Sequence, residues 1–140
     1  MTIYTVCQTY VVSVSPHTTI SFVADLMKDK NIGCVIITED HKPVGIVTDR
    51  DLALRIDISS QEKESAQIST IMTNEVKTIR KDTGIFQAVQ VMKSSKVRRL
   101  PVVDMGGRLV GLITVDDILR LLARELGEIA RIIGNESPNI

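Results

Sequence analysis

The chain has 140 residues, 44% of them hydrophobic, and its 17 basic and 17 acidic side chains cancel to a formal net charge of zero. That apolar content excludes an intrinsically disordered chain, and no apolar run approaches the roughly 18 residues needed to span a bilayer, so no membrane insertion is expected. The charge balance argues against a non-specific nucleic-acid binder, which has to neutralise many phosphates.

In chain order, Thr9–Val14 reads as a short β-rich segment and Ser15-Pro16-His17-Thr18-Thr19 as a turn and helix start. Ile20, Val23, Ala24 and Met27, with the adjacent Leu26, follow helical spacing. Val35–Thr38 reads as a buried strand, Glu39-Asp40-His41-Lys42-Pro43 as a polar hairpin-like turn, and Val44–Val47 as a second strand. Thr48 opens another helix running toward Arg55 or Ile56, and Asp57–Ser69, with its Ser, Gln, Glu and Lys, is the expected connector. The order then recurs. A strand over Val76–Ile79, a helix from Thr83 to Met92 and a strand over Leu100–Val103 lead to a turn at Asp104–Arg108, a strand over Leu109–Thr114 and a helix from Asp116. That last helix carries Ile118, Leu119, Leu121, Leu122, Leu126, Ile129, Ile132 and Ile133, more apolar surface than one narrow stripe, which favours a subunit contact. Gly134–Ile140 is expected to be a frayed tail.

The recurrence is a true repeat. Val44-Gly45-Ile46-Val47-Thr48-Asp49-Arg50-Asp51-Leu52 returns 66 residues later as Val110-Gly111-Leu112-Ile113-Thr114-Val115-Asp116-Asp117-Ile118. Val14, Ile20 and Met27 match Ile79, Ile85 and Met92 at a spacing of 65, so one residue is expected to have been gained between Met92 and Arg99. Each copy is thus β-α-β-β-α, and the chain divides at 1–65 and 66–140, with net charges of −3 and +3. The strands are apolar on both faces in places, which calls for cover on both sides. A unit of about 60 residues is marginal alone. The expected fold is therefore α/β, with the two copies packed by their sheets around a pseudo-twofold axis.

Thr48-x-x-Asp51 and Thr114-x-x-Asp117 each stand where a strand gives way to a helix. One reading is a capping box, in which the Thr oxygen accepts an early backbone N–H and the carboxylate reaches back. The other is a ligand site: a helix start with free N–H groups favours phosphate, a Thr hydroxyl donates to it, and a carboxylate accepts both hydroxyls of a ribose. The two readings are compatible.

These segments resemble CBS domains (cystathionine β-synthase motifs), and the pair resembles a Bateman module over roughly Cys7–Leu54 and Ile71–Leu122. The resemblance rests on Val44–Leu52, on Arg98-Arg99-Leu100-Pro101-Val102-Val103-Asp104 followed by Gly107–Thr114, and on Ile71-Met72-Thr73 as the opening of a second copy. It implies a non-catalytic module that binds AMP, ADP, ATP or S-adenosylmethionine in clefts between copies and regulates an attached or partner protein. Carried onto this chain, Thr48 and Thr114 would contact phosphate and Asp51 and Asp117 would hold ribose. The base would lie near Val12, Val14 and Cys34 in one copy and Thr78, Arg99 and Pro101 in the other, with Arg50, Arg98 and Arg99 as phosphate-binding candidates. Asp116 stands where the first copy has Arg50, so the Thr48/Asp51 site is expected to tolerate phosphates better.

Stand-alone modules of this resemblance usually pair, so a homodimer is expected. A ligand-free interaction or dimerisation module and a nucleic-acid-associated protein are the alternatives. The second draws on Lys93-Ser94-Ser95-Lys96-Val97-Arg98-Arg99, where no aromatic side chain is available for stacking. His17, His41, Cys7 and Cys34 form no recognisable zinc set, and a Cys34–His17 pair lacks a third member. No catalytic residue, metal or cofactor other than a regulatory ligand is expected. Met1-Thr2-Ile3-Tyr4 lacks the features of a secretory signal, which points to the cytoplasm.

Overall fold

The computed structural model describes residues 1–55 and 64–136. The first copy forms β1 (Ser13–Val14), α1 (Ile20–Lys30), β2 (Cys34–Glu39), β3 (Lys42–Thr48) and α2 (Asp49–Leu54). After β4 (Thr73–Asn74), the second forms β5 (Ile79–Arg80), α3 (Ile85–Ser95), β6 (Arg99–Val103), β7 (Leu109–Thr114) and α4 (Val115–Glu136). One sheet has the order β1-β2-β3-β4 and the other β5-β6-β7. In each, the strand before the helix runs parallel to the strand after it, and the next strand returns antiparallel. The expected pair of β-α-β-β-α units, packed by their sheets, is the observed architecture.

Local chemistry accounts for the helix limits. Thr19 caps α1 by accepting the Phe22 N–H at 3.1 Å, and α1 buries Ile20, Val23 and Met27 on one face. Both α1 and α3 end on a left-handed residue, Asn31 (φ 52°) and Lys96 (φ 57°), whose N–H groups satisfy carbonyls of the last turn. The C-terminal helix continues through Gly134 to Glu136, past the expected start of a frayed tail. Residues 137–140 and residues 56–63 of the connector lie outside the described residues.

The initial strands are shorter than expected, and the segments upstream of them pair with other strands. Gln8 exchanges backbone hydrogen bonds with Leu112 of β7, and Thr73 and Asn74 pair with Ile46 and Gly45 of β3. Each of these segments follows a 3-10 turn, at Ile3–Thr5 and Ile68–Thr70. The turns are exchanged. Ile3 is fully buried in the core of Ile79, Ala88, Met92, Leu100, Val102, Ile113 and Ile118. Ile68 and Ile71 close the core of Ile20, Val23, Met27, Val35, Ile37 and Val47. The backbone anchors are equivalent: the Ile3 N–H donates to the Thr83 carbonyl at 2.8 Å and the Ile68 N–H to the Thr18 carbonyl at 2.7 Å. Where these segments cross the sheets they pass close over glycines. A Cβ on Gly111 would lie 2.9 Å from both Cys7 Sγ and the Gln8 carbonyl oxygen, and one on Gly45 would lie 2.5 Å from Met72 Sδ.

The pairing register moves the extra residue of the second copy. Cys34 faces Thr48 and Arg99 faces Thr114, and both sheets carry a register irregularity, at Ile37/Thr38 and at Val102/Val103. The spacing therefore stays at 65 through β6, and the insertion lies in the hairpin rather than between Met92 and Arg99. Asp40 and His41 make a two-residue turn with both φ angles positive, whereas the β6–β7 turn is longer and has Gly107 at φ 84°. Cys34 is consequently the structural counterpart of Arg99.

Candidate functional site

Both threonine–aspartate pairs form capping boxes. The Thr48 oxygen accepts the Asp51 N–H at 3.2 Å, and Asp51 Oδ2 accepts the Thr48 N–H at 2.9 Å and its hydroxyl at 3.2 Å. The Thr114 oxygen accepts the Asp117 N–H at 3.1 Å, and Asp117 Oδ2 accepts the Thr114 N–H at 3.0 Å. The other carboxylate oxygens differ. Asp51 Oδ1 lies 3.3 Å from Arg55 Nε, with the Asp51 side chain 13% exposed. Asp117 Oδ1 is held by Arg120 at 2.6 Å and by Gln8 Nε2 at 3.5 Å, with its side chain 6% exposed. The second carboxylate is thus the more enclosed and the more fully satisfied.

Each box borders a cleft whose far wall belongs to the other copy. Cleft A, with a volume of about 950 Å³, joins Thr48, Arg50, Asp51 and Arg55 to residues 73–77 without Asn74 and to residues 95–99. Cleft B, about 690 Å³, joins Thr114, Asp116 and Arg120 to Gln8, residues 10–12 and residues 30–34. The walls are related by the internal repeat, because the exchanged turns deliver 8–12 to one side and 73–77 to the other. Cleft A is strongly basic, with Arg50, Arg55, Lys77, Lys96, Arg98 and Arg99 against Asp49, Asp51 and Glu75. Cleft B has an apolar wall of Val11, Val12, Ile32, Cys34 and Leu112, and Lys30 lies 5.8 Å from the ring centre of the exposed Tyr10.

The structure therefore gathers Thr48, Arg50, Asp51, Arg98 and Arg99 around cleft A, and Val12, Cys34, Thr114 and again Arg99 around cleft B. Val14 packs against the first core, Pro101 is fully buried in β6, Thr78 is exposed just before β5, and Asp117 sits beneath the floor of cleft B. None of these four lines either cleft. Of the basic run, Lys96, Arg98 and Arg99 turn into cleft A, while Lys93 does not line it. Tyr10, Lys30, Lys77 and Arg120 went unnoticed in the sequence. For Tyr10 and Lys77 the signal was the spacing of 65, which places Tyr10 and Val12 opposite Glu75 and Lys77; Lys30 and Arg120 have no such signal. The α2 helix has six residues, too few to project a substantial helix dipole, so the electrostatics of cleft A come from side chains.

His17 and His41 are exposed and lie outside both clefts, with His17 Nδ1 3.2 Å from Gln67 Oε1. Cys7 and Cys34 are free thiols. Burial, then the nearby Asp117 charge, push the Cys7 thiol above its usual range, against a smaller opposing backbone hydrogen bond. Among the described residues, no cluster of three or more His, Cys, Asp or Glu is placed to hold a metal ion, and no helix is long and apolar enough to cross a membrane.

Known proteins share this arrangement. An uncharacterised protein of Methanopyrus kandleri, MK0525, is 35% identical over 112 residues, which cover 79% of this chain and 57% of that protein. The chain thus spans little more than half the length of that relative. The CBS domain pair of protein MJ0100, solved with 5′-methylthioadenosine and S-adenosylmethionine, superposes with a TM-score of 0.75 at 25% identity, covering 89% of this chain and 98% of that one. CBSX2 of Arabidopsis thaliana, solved with AMP, gives a TM-score of 0.73 at 26% identity, covering 88% and 96%. The CBS domain pattern itself matches twice, over residues 3–57 and 68–124. With the exchanged turns, the twin capping boxes and the inter-repeat clefts, these matches establish that the chain belongs to the CBS domain family as a tandem pair.

Proposed function

We propose that this chain is a non-catalytic sensor of adenosine-containing ligands, and that cleft A favours the ones that carry phosphate more strongly than cleft B does. The observation that supports this most directly is the chemistry of cleft A. Six basic side chains face three acidic ones around a threonine hydroxyl and a slightly exposed carboxylate, all at the boundary between two copies. Phosphate suits the guanidinium groups, and Asp51 retains acceptor capacity for sugar hydroxyls beyond its hydrogen bonds to Thr48. The related MJ0100 and CBSX2 domain pairs, solved with S-adenosylmethionine and AMP, supply the ligand class. A ligand spanning two copies would bias their relative orientation, and hence a partner's activity, only through unequal affinity for the alternatives.

Calorimetric titration of the full chain with AMP, ATP and S-adenosylmethionine tests this reading. Saturable binding of at least one ligand is expected, and its absence for all three would overturn it. Asp51→Ala should weaken AMP about tenfold or more, the scale of a lost hydrogen bond to a charged group, while the lost cap costs about 0.5–2 kcal/mol of stability. Equal AMP affinity in variant and parent would remove Asp51 as the sugar contact.

The same reading includes a homodimer. Leu119, Leu122, Leu126, Ile129 and Ile133 recur along α4 at alternating spacings of three and four, and each is more than half exposed. That is the seam of a helix pair, and a second copy of the chain is its proposed occupant. The two free thiols suit a reducing compartment such as the cytoplasm.

A further inference from the structure

One side chain lines both clefts. Arg99 borders cleft A together with Thr48 and Arg50, and cleft B together with Thr114 and Asp116. Its backbone explains how. Arg99 opens β6 and pairs with Thr114, the cap of α4, while its guanidinium extends across the repeat boundary toward Gly33. A Cβ built on Gly33 would lie 3.9 Å from Arg99 Nη1 and 3.7 Å from Asp49 Oδ2. The Gly33 carbonyl in turn accepts the Asp49 N–H that opens α2. Arg99 thus reaches from the rim of one capping box to the rim of the other. It is half-buried, and no ion pair or side-chain hydrogen bond holds it among the described residues. The pseudo-twofold mate of Arg99 is Cys34, so a second guanidinium is missing at the equivalent position.

We propose that Arg99 is a phosphate-recognition residue shared by both clefts, and that an anionic ligand in one cleft weakens anion binding in the other by drawing that guanidinium toward itself. The inference rests on the adenosine-ligand reading above. A guanidinium presents its donors in a rigid fork, so full alignment with one phosphate leaves poorer geometry for a second. The resulting coupling is reciprocal, since the effect of the first ligand on the second equals that of the second on the first. An uncharged ligand makes no demand on Arg99 and escapes it. The protein would then report mixed occupancy, one anionic and one uncharged adenosine compound, more readily than two anions.

The experiment is calorimetry on the full chain with AMP, and with adenosine as the probe lacking only the phosphate. Val76→Trp and Val11→Trp fill cleft A and cleft B in turn, so that each remaining cleft is measured alone. Arg99→Gln, made in both backgrounds, should weaken AMP about tenfold in each cleft, the scale of one lost charge-assisted hydrogen bond, and leave adenosine within about twofold. In the unfilled chain, the product of the two AMP dissociation constants should exceed the product of the single-cleft values about fivefold or more. That excess should shrink at least about threefold with Arg99→Gln, because the loss of a shared group counts once when both clefts are full. An excess that persists or grows means two phosphates repelling across a fixed arginine, and overturns sharing. So does an effect of Arg99→Gln confined to one cleft. If a filled variant fails to fold, the smaller fillers Val76→Phe and Val11→Phe take its place, and the same comparison of single-cleft with unfilled constants decides. Binding of neither probe to any protein overturns the ligand reading itself, and this inference with it.

Discussion

Asp104 shows how a single carboxylate organises a turn. Its Oδ1 accepts the N–H groups of Gly106 and Arg108, each at 2.9 Å. The Arg108 hydrogen bond foremost holds its pKa below the usual carboxylate value; desolvation opposes it, and the Gly106 hydrogen bond and then the charges of Arg108 and Lys81 lower it further. A depressed folded-state pKa means that the native chain binds this proton less readily than the unfolded chain. The contribution is therefore present at neutral pH and is lost as pH falls through the carboxylate range. Asp104→Asn should flatten the acid limb of a urea-midpoint profile between pH 6 and pH 2, about the span in which carboxylates titrate, and an unchanged limb would show the turn to be indifferent to the charge. Gly111 is constrained by space instead. An added methyl meets the Gln8 backbone oxygen at 2.9 Å, which cannot swing aside, so Gly111→Ala should cost about 1–3 kcal/mol in chemical denaturation. Gly45→Ala meets the flexible end of Met72 first and should cost less.

Among the described elements, α4 exposes the longest series of large apolar side chains. Ile118 and Leu121 face the core, and the exposed seam from Leu119 to Ile133 is left over. Leu126→Glu places a charge at the middle of that seam, where it touches no core residue. It should abolish dimerisation in sedimentation velocity while leaving the monomer's thermal midpoint within a few degrees, since exposed substitutions change stability by about 0.5 kcal/mol or less. A parent that sediments as a monomer would remove the seam as a dimer contact. The helical and strand periods of these elements were legible in the sequence because they are local: α1 buries its residues at the spacing of a helix face, and β2 buries a continuous run. The initial strands were not, since the pattern of Thr9–Val14 cannot reveal that Gln8 is paired with Leu112 on another sheet.

At the scale of the molecule, the exchange of the opening turns ties the two copies together. Ile3 is fully buried among residues more than 70 positions away, and Ile68 closes the core of the first copy. Ile3→Ala should destabilise the whole chain by about 2–5 kcal/mol, as for other buried Ile truncations, and unfolding should remain a single transition when followed by circular dichroism and by hydrogen exchange of both sheets. If exchange instead accelerated only in β5–β7, the copies would be separate cooperative units. The same exchange builds the clefts, because the segments that follow the two turns form their far walls.

The sequence by itself determined the repeat, the order of elements, the two capping boxes and the family resemblance, all of which depend on residue type at short or fixed spacing. The tertiary structure alone decided which copy completes which cleft. It set Arg99 opposite Cys34, left Asp117 beneath the floor of its cleft, and set Val14, Thr78 and Pro101 outside both clefts. The physical reason is that a cleft wall is a contact between distant segments, fixed by strand register and by burial of Ile3 and Ile68 in each other's neighbouring core. A one-residue difference in a hairpin moves such partners without altering any local pattern.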